Sequence, residues 1–218
     1  MFIVVAGLSD IGKNLAELLV KEGHQVTVID RDPARCSAIA EGSDIMVITG
    51  DAGQKSTLEE ARVRGAQAFV AAAGDDSENL MLCMVAKELG MKTVISVVDE
   101  AEHAETFRQA GIGLQVNPAI VAARHIYRLI SQPYVKGSLS FEGAEIFEIE
   151  TEEGMSCIGK SVAELGVPNG VKVVAVQRAG KYLDEGKEIQ PKDWLIVIAT
   201  RESVRRGIEF MNRWFIKG

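Results

Sequence analysis

A short glycine-containing turn near the start of the chain carries residue types that can bind a phosphate group. The first glycine permits a tight turn out of a strand, and the last allows a helix to pack closely on that strand. The free N–H groups and the positive dipole end at the start of such a helix attract anions. The pattern therefore predicts phosphate binding. The turn consists of Gly7, Leu8, Ser9, Asp10, Ile11 and Gly12.

An acidic residue ends the next predicted strand, about 20 residues after the turn, as in dinucleotide-binding folds. The strand covers residues 25–29, and Asp30 follows it. A carboxylate in this place can accept hydrogen bonds from two ribose hydroxyls and would repel a 2′-phosphate. This favours NAD or an adenosine nucleotide over NADP, although the neighbouring Arg31 leaves the 2′-phosphate alternative open.

Two residues of the turn depart from the usual glycine-rich motif. Ser9 places a side chain where the phosphates would pass closest, and Asp10 places a negative charge at the start of the helix. Asp10 suits the helix dipole, but it would repel a bound phosphate. The turn alone therefore leaves two alternatives open, a nucleotide site or a strand-turn-helix unit that serves folding only.

Strand and helix patterns alternate through the first half of the chain and would position these residues. The amphipathic stretches between apolar runs predict helices, including one over 33–41 and one over 57–64 that Ser56 or Thr57 would cap. Such alternation specifies a parallel sheet with right-handed crossovers. We therefore expect an α/β fold with a Rossmann-like, doubly wound parallel sheet. The predicted strands cover residues 2–6, 25–29, 45–49, 68–73, 93–98 and 114–116.

Ligands of a doubly wound sheet bind outside the carboxyl ends of its strands, which adds residues after the third and fourth strands to the candidate site. We expect Asp51 and Ala52 to flank an adenine or its ribose. The same rule selects Ala73 and Gly74, with Asn79 one helical turn on, near the phosphate end.

Several polar residues after the fourth strand have alternative roles. Helix capping would account for Asp75, Asp76 and Asn79 equally well. The two acids could instead help a divalent cation to bridge a phosphate, because hard oxygen ligands suit such ions. These alternatives stay open at the level of the sequence.

The pattern changes after residue 131. Asn117 and Pro118 begin a helix over 117–131 whose wide apolar face needs a partner, because the sheet is complete before it. Residues 132–137 form the best linker candidate. We therefore expect one domain over 1–131 and a small α+β domain over 138–218. The second domain is predicted to hold strands at 144–150, 171–178 and 194–200 and helices at 160–165 and 203–215.

Composition and charge exclude several classes of protein. The chain has 218 residues and a formal net charge of −7, and without a basic stretch it does not suit a nucleic acid. No apolar run approaches the ~18 residues that a membrane helix needs, so we expect no membrane insertion. Met1 leads directly into an apolar strand, so we expect no signal peptide. The three cysteines, Cys36, Cys83 and Cys157, are expected to be buried free thiols of a cytoplasmic protein.

Two ordered sets of motifs together resemble one protein family across nearly the whole chain. They resemble the regulatory domain of bacterial and archaeal potassium transport, of TrkA type and also called KTN or RCK, followed by its small C-terminal domain. The first set is Gly7-x-x-x-x-Gly12, Asp30, Gly50-Asp51-Ala52, Ala72-Ala73-Gly74-Asp75-Asp76-x-x-Asn79-Leu80 and Asn117-Pro118. The second set is Met155-x-x-x-Gly159-Lys160-Ser161-x-x-Glu164-Leu165, Pro168, Val173-Val174-Ala175-Val176-x-Arg178-x-Gly180 and Lys192-Asp193-x-Leu195-Ile196-Val197.

The resemblance implies a function that is regulatory rather than enzymatic. Members of the family are cytoplasmic, assemble as dimers within rings of eight regulatory domains, and gate a membrane-embedded potassium channel or transporter. They bind NAD, NADH, ATP, ADP or AMP, here through the turn, Asp30, Arg31 and the residues after the third and fourth strands. In the family the helix at 117–131 packs on a second subunit; the alternative is that it packs on its own sheet.

Two departures from the family bear on the ligand. Asp10 and Val97 stand where the family usually or often has an arginine. Loss of both cations should weaken binding of a polyphosphate more than that of AMP or NAD. A second function stays open, an NAD-dependent oxidoreductase, but the chain lacks a catalytic acid or base paired with a substrate pocket. We expect His24, His103 and His125 to be surface or interface residues away from the cleft.

Overall fold

The computed structural model describes residues 1–41, 43–184 and 186–217. It divides into two compact units, Met1–Ala122 and Ala123–Gly218. The dividing point lies inside the helix that follows the first sheet, whereas the sequence predicts domains over 1–131 and 138–218. Those domain limits stay a prediction.

The first unit is built on a six-stranded parallel sheet with the strand order β3-β2-β1-β4-β5-β6. This order is that of a doubly wound, Rossmann-like sheet and confirms the predicted fold class. The strands are β1 (Phe2–Ala6), β2 (Gln25–Asp30), β3 (Met46–Thr49), β4 (Ala68–Ala71), β5 (Val94–Val97) and β6 (Leu114–Val116).

Apolar side chains cover both faces of this sheet, which explains why its central strands are continuous apolar runs. Val4 packs in one buried cluster with Ile29 and Phe69, whereas its neighbour Val5 packs in another with Val28. Successive side chains of a strand point to opposite faces, so each face needs its own layer of helices. The helices of the first unit are α1 (Asp10–Lys21), α2 (Pro33–Ala40), α3 (Lys55–Glu60), α4 (Asp76–Glu88) and α5 (Ala104–Gln109).

Most helices begin where their capping residues predict, but α3 does not. Asp32 accepts hydrogen bonds from the N–H groups of Ala34 and Arg35 at the start of α2. By contrast α3 begins at Lys55, ahead of Ser56 and Thr57, and among the described residues no side-chain hydrogen bond caps it. The predicted helix over 57–64 was therefore wrong in its bounds, because a single 3₁₀ turn, Val63–Gly65, takes up the end of that segment.

Helix α6 (Pro118–Ser131) follows the sheet and carries exposed apolar side chains. Asn117 caps it, since its Oδ1 accepts the N–H of Ile120 at 2.8 Å. Tyr127 and Ile130 are 68% and 75% exposed. None of the helices in the described ranges has both the length and the apolar character needed to cross a membrane.

The second unit is an antiparallel sheet of five strands, in the order β10-β9-β11-β8-β7, with the amphipathic helix α7. A core of aromatic and aliphatic side chains that includes Phe147, Leu195 and Phe215 is buried in this unit. Its elements are β7 (Val135–Ser140), β8 (Ala144–Glu150), β9 (Val171–Arg178), β10 (Lys181–Tyr182), β11 (Trp194–Thr200) and α7 (Val204–Phe215).

Two predictions for the second half differ from the structure. The segment 132–137, predicted as a linker, contains the start of β7, which pairs with β8 and has a register shift between Val135 and Gly137. The predicted helix over 160–165 is a 3₁₀ turn, Val162–Leu165, with a capping box between Ser161 and Glu164. The strand β7 takes its structure from pairing with β8, which the local pattern does not encode.

Candidate functional site

The glycine turn connects β1 to α1 at the carboxyl edge of the parallel sheet. Gly7 has a φ of +97°, and a Cβ on it would lie 2.6 Å from the carbonyl oxygen of Ala72. A Cβ on Gly12 would overlap the carbonyl oxygen of Gly7. Both glycines are therefore required by the backbone, the first by its conformation and the second by the close packing of α1 on the turn.

The two departures from the glycine motif have local structural roles. Ser9 is the N-cap of α1, with its hydroxyl oxygen accepting the N–H of Gly12 at 3.4 Å. Asp10 is an exposed residue in the first turn, where a negative charge favours the helix dipole. The carbonyl oxygen of Asp10 accepts a hydrogen bond from the side chain of Asn14 at 2.6 Å.

Asp30 ties the glycine turn to the end of β2. One carboxylate oxygen accepts the N–H of Leu8 at 2.5 Å, and the other accepts the N–H of Asp32 at 2.8 Å. Both oxygens keep a further lone pair, because a carboxylate has about four acceptor sites. The carboxylate is thus fixed in place and can still accept hydrogen bonds from a ligand.

Two adjoining cavities lie at this edge and share Arg35 and Gly74. The adenosine cavity, as we name it, has a volume of about 130 Å³. The phosphate cavity, as we name the other, has about 420 Å³. The adenosine cavity is lined by Gly7, Ile29, Asp30, Arg31, Arg35, Gly50, Ala52, Ala73, Gly74, Glu78 and Leu82. The phosphate cavity is lined by Leu8, Ser9, Asp10, Lys13, Arg35, Ala38, Ile39 and Gly74.

A larger cavity, of about 600 Å³, lies at the opposite edge of the sheet. Its lining includes Phe2, Gln25 and Met46, which stand at the amino-terminal ends of their strands. Because the glycine turn and Asp30 lie at the carboxyl edge, volume alone does not make this cavity the candidate site.

Arg31 lies between two carboxylates at the adenosine cavity. Its Nη2 contacts Asp51 Oδ1 at 2.8 Å, and its Nη1 contacts Glu78 Oε1 at 3.1 Å. The hydrogen bond to Asp51, followed by the charge of Glu78, raises the pKa of Arg31. The same bond, helped by the N–H of Gly53, lowers the pKa of Asp51. Asp51 is not among the residues that line the adenosine cavity; it contacts Arg31, which is.

Asn79 is fully buried behind the wall of the adenosine cavity. Its Oδ1 accepts the N–H of Ala73 at 2.8 Å, and its Nδ2 donates to the carbonyl oxygens of Ala73 and Val97 at 3.3 and 3.1 Å. These bonds satisfy the side chain, so Asn79 positions the segment after β4 rather than facing a ligand.

Asp75 and Asp76 have separate structural roles. Asp75 is the N-cap of α4 and accepts the N–H of Glu78 at 3.0 Å, as the capping alternative expects. Asp76 is buried and accepts the N–H groups of Asp99 and Glu100 at 2.8 and 3.0 Å. Within the described ranges, no three or more His, Cys, Asp or Glu side chains are grouped so as to hold a metal ion.

His103 is tied to Asp76, a contact that the sequence does not predict. Its Nδ1 lies 2.8 Å from Asp76 Oδ2, while the ring is 53% exposed. This contact raises the pKa of His103. Burial opposes ionisation of Asp76, but its two backbone N–H donors and His103 outweigh burial and lower its pKa. His103 is a surface residue, as expected, but it anchors the segment after β5 to the start of α4.

The structure brings most of the predicted site residues together and adds three charged residues that sequence reasoning missed. The walls include Gly7, Leu8, Ser9, Asp10, Asp30, Arg31, Ala52, Ala73 and Gly74. Ile11 and Gly12 lie in the first turn of α1. The missed residues are Lys13, Arg35 and Glu78. Their only signal in the sequence is their place in or near the first turns of helices that follow strands of the sheet.

Comparison with known proteins identifies relatives over the whole chain. Residues 3–118 match the family model of the TrkA-N domain. The Trk system potassium uptake protein TrkA homolog of Methanothermobacter thermautotrophicus is 32% identical over 206 residues, which are 94% of this chain and 93% of the relative. The TrkA homolog of Pyrococcus abyssi is 29% identical over 219 residues, 96% of each chain.

Solved structures with the same fold include RCK domains. The GsuK channel bound to NAD matches with a TM-score of 0.66 and 20% identity, over 100% of this chain and 40% of the channel chain. The Kef C-terminal domain of Shewanella denitrificans in AMP-bound form matches with a TM-score of 0.52 and 21% identity, over 58% of this chain and 77% of that one. GsuK bound to ADP matches 61% of this chain with a TM-score of 0.53 and 23% identity.

We expect Asn79→Ala to lower the free energy of unfolding by about 2 to 4 kcal/mol, because it leaves the buried N–H and carbonyl groups of Ala73 without the bonds that Asn79 makes to them. Denaturant unfolding measures this change. The matched control is Asn14→Ala, which removes an exposed side-chain bond to Asp10 and should change stability by about 0.5 kcal/mol or less. Equal losses in the two variants would contradict the role given to Asn79.

The Asp76–His103 contact should make stability depend on pH. A raised His103 pKa contributes stability that is complete below its ordinary value of 6.5 and is lost as the pH rises through the folded value. The lowered Asp76 pKa contributes stability that is present above 3.8 and is lost as the pH falls through the folded value.

We therefore expect His103→Gln to have a lower free energy of unfolding than the wild type, and we expect the difference to be larger at about pH 5.5 than at about pH 8.5. Denaturant unfolding at both pH values measures the difference. Gln109→Ala, which changes an exposed side chain without a titrating group at the end of α5, is the control and should differ from wild type by the same amount at both pH values. A pH-independent gap between wild type and His103→Gln would refute the expectation.

Proposed function

This chain belongs to the TrkA-N family, and we propose that it is a cytoplasmic regulatory subunit that binds NAD or an adenine nucleotide and gates a membrane-embedded potassium channel or transporter. The observation that carries the proposal is the pair of adjoining cavities at the carboxyl edge of the sheet, with Asp30 held between the glycine turn and β2. This is where doubly wound sheets bind nucleotides.

The adenosine cavity suits a ribose that carries free hydroxyl groups. Asp30 already accepts two backbone N–H groups, and its remaining lone pairs can accept from ribose hydroxyls. Ala52 and Ala73 present small apolar walls to a base. Solved structures of the same fold hold NAD, ADP and AMP, which supports NAD, AMP, ADP or ATP here.

The phosphate cavity is lined by two cationic side chains, although the turn lacks the arginine that is usual in the family. Lys13 on α1 and Arg35 on α2 line it, opposite the negative charge of Asp10. The first N–H groups of α1 have no partner within the helix, since they belong to its first turn. Two exposed cations and a helix start can bind one or two phosphates, with Asp10 working against a longer polyphosphate.

A regulatory role fits this chain better than the alternative of an NAD-dependent oxidoreductase. The relatives from Methanothermobacter and Pyrococcus are named as potassium uptake proteins. An oxidoreductase needs a substrate pocket with a paired acid or base beside a nicotinamide. Within the described residues, the histidine that contacts an acid near this edge is His103, and that contact anchors a loop.

A second copy of this chain is the proposed partner of α6. The apolar side chains that α6 exposes include Val121, Ile126, Tyr127, Leu129 and Ile130. Such a face is stabilised when another apolar surface covers it. We extend the proposal to a homodimer through α6, within a ring of eight regulatory domains, and to a potassium-conducting membrane protein that the ring controls.

Adenine nucleotides should raise the melting temperature of the purified protein. At a ligand concentration of about 100 times Kd, binding to the folded state adds about 2.7 kcal/mol. We expect this rise with at least one of AMP, ADP, ATP and NAD, and its loss in Asp30→Asn. The control is Asp184→Asn, at an exposed position of the second unit. A rise that Asp30→Asn leaves unchanged would locate the ligand elsewhere.

Light scattering should give the purified protein the mass of a dimer or of a larger assembly. We expect Ile130→Glu to weaken the assembly by at least about tenfold, because it would bury an unpaired charge in the proposed contact. Arg124→Glu places the same side chain elsewhere on α6 and is the matched control. A monomeric wild type, or an Ile130→Glu variant of unchanged mass at low protein concentration, would count against the homodimer.

A further inference from the structure

A groove beside helix α7 gathers positive charge in a chain whose formal net charge is −7. The α7 groove, as we name it, has a volume of about 290 Å³ and lies within the second unit. One wall is formed by Arg206, Phe210, Arg213 and Trp214 of α7, and the other includes Leu165 and Pro168.

We propose that the α7 groove binds an acidic peptide segment of a partner protein. Two carboxylates of the segment contact Arg206 and Arg213, and an apolar side chain between them covers the floor of the groove. This site is separate from the nucleotide site of the first unit and does not depend on the proposed function.

The two arginines of the groove have donors to spare. Among the described residues, neither guanidinium forms a salt bridge with a carboxylate. Arg206 Nη2 donates to Ser203 Oγ at 2.8 Å, which uses one of the five N–H groups of its guanidinium. Glu209 also lines the groove, but Arg205 Nε lies 3.3 Å from its Oε1 and offsets its charge. The lining therefore attracts anions.

Trp214 holds a cation in place at one end of the groove. The guanidinium carbon of Arg213 lies 5.2 Å from the centroid of the ring, and Lys160 Nζ lies 5.7 Å from it. The ring is fixed, since its Nε1 donates to the carbonyl oxygen of Leu165 at 2.8 Å. An arginine stacked on an aromatic ring keeps its planar set of donors available to a carboxylate. Arg213 is thus partly preorganised for an acidic ligand.

The spacing of the two arginines indicates the spacing of the acids. Arg206 and Arg213 are seven residues apart, which corresponds to about 10 Å along a helix axis. A polyproline II segment has three residues per turn and rises about 3.1 Å per residue. Two acids three positions apart in such a segment lie on the same side, about 9 Å from each other. The expected motif is therefore acid-x-x-acid.

The floor between the arginines is apolar and recessed. Phe210 is 6% exposed and Leu165 is 2% exposed, while Pro168 and Trp214 are half-buried. A helix that lies on a membrane inserts exposed apolar side chains instead, so a lipid surface fits this groove poorly. A single small anion would reach only one of the two arginines. A short peptide with an apolar residue between two acids matches both the charge and the floor.

Fluorescence anisotropy of a dye-labelled, capped peptide, Glu-Pro-Leu-Glu, tests the inference on the purified protein. Proline favours the polyproline II conformation. We expect saturable binding that weakens as salt rises from about 20 to about 200 mM, because exposed charges are screened. Gln-Pro-Leu-Gln, with the same dye, should bind at least about tenfold more weakly, since it lacks both charges. Glu-Pro-Ser-Glu, which lacks the apolar side chain, should bind at least about threefold more weakly.

Substitutions on α7 locate the binding site. We expect Arg206→Gln and Arg213→Gln each to weaken binding of Glu-Pro-Leu-Glu by about threefold or more, and the double variant by about tenfold or more. Both positions are exposed, so the fold does not depend on them. Lys181→Gln removes the same charge from exposed β10 of the same unit and is the matched control, which should leave the affinity unchanged.

Several results would overturn the inference. One is the absence of binding at about 1 mM peptide in low salt, which corresponds to a binding free energy weaker than about −4 kcal/mol. Another is an equal loss of affinity in Lys181→Gln and in the α7 variants, which would reveal general attraction of anions to the unit. A lower mass of the double variant in light scattering without peptide would assign the groove to a second copy. Binding of phosphatidylserine vesicles in place of the peptide, lost in the double variant, would assign it to a lipid surface.

Discussion

The carboxylate of Asp30 is the interaction on which the candidate site depends. It accepts one N–H from the glycine turn after β1 and one from the start of the loop after β2, and it thereby fixes two adjacent strand ends against each other. Without that link, the turn would be held chiefly by the bond from the N–H of Gly7 to the carbonyl oxygen of Ile29 and by the packing of α1. A carboxylate placed by backbone donors is preorganised for a ligand, since it loses little freedom when hydroxyl groups bind it.

The residues that depart from the glycine motif make the phosphate end of the site chemically different from the ribose end. Ser9 is used as a helix cap, so its hydroxyl is engaged with Gly12. The cations that the motif lacks come instead from Lys13 and Arg35, which both line the phosphate cavity and are exposed to water. Phosphate recognition at such cations is screened by salt, whereas the half-buried Asp30 is screened less. Selectivity at this site therefore rests mainly on the ribose end.

Sequence patterns predicted the sheet, and they selected most of the residues that line the two cavities at its carboxyl edge, because both depend on local signals. An apolar run, a glycine directly after it and an acid at the end of the next strand are each recognisable from neighbouring residues. They placed β1, Gly7 and Asp30 correctly in the fold, and Gly7 has the positive φ that its turn requires. The contacts of Arg31 with Asp51 and Glu78, and of Asp76 with His103, join residues 20 to 47 positions apart. Pairings of that kind depend on which strand ends become neighbours and on side-chain direction, and neither is encoded in spacing. The strand β7 was missed for the same reason, since its pairing with β8 and not its composition defines it.

A series of hydrogen bonds and one helical turn of α4 leads from the adenosine cavity to the start of α6. Glu78, which contacts Arg31, lies in the same helical turn as Asp76, and Asp76 accepts the N–H of Asp99. The carbonyl oxygen of Asp99 in turn accepts the side chain of Asn117 at 2.7 Å, and Asn117 caps α6. Continuity of contacts alone does not transmit a signal; a ligand shifts a protein only if it binds two arrangements with different affinity. Arg31, paired with Asp51 and Glu78, is where the cavity wall and this route meet, because its two ion pairs join the loop after β3 to the first turn of α4. A ligand that bound with different affinity in the presence and absence of these ion pairs would therefore act first on α4, and through Asp76, Asp99 and Asn117 on the first turn of α6.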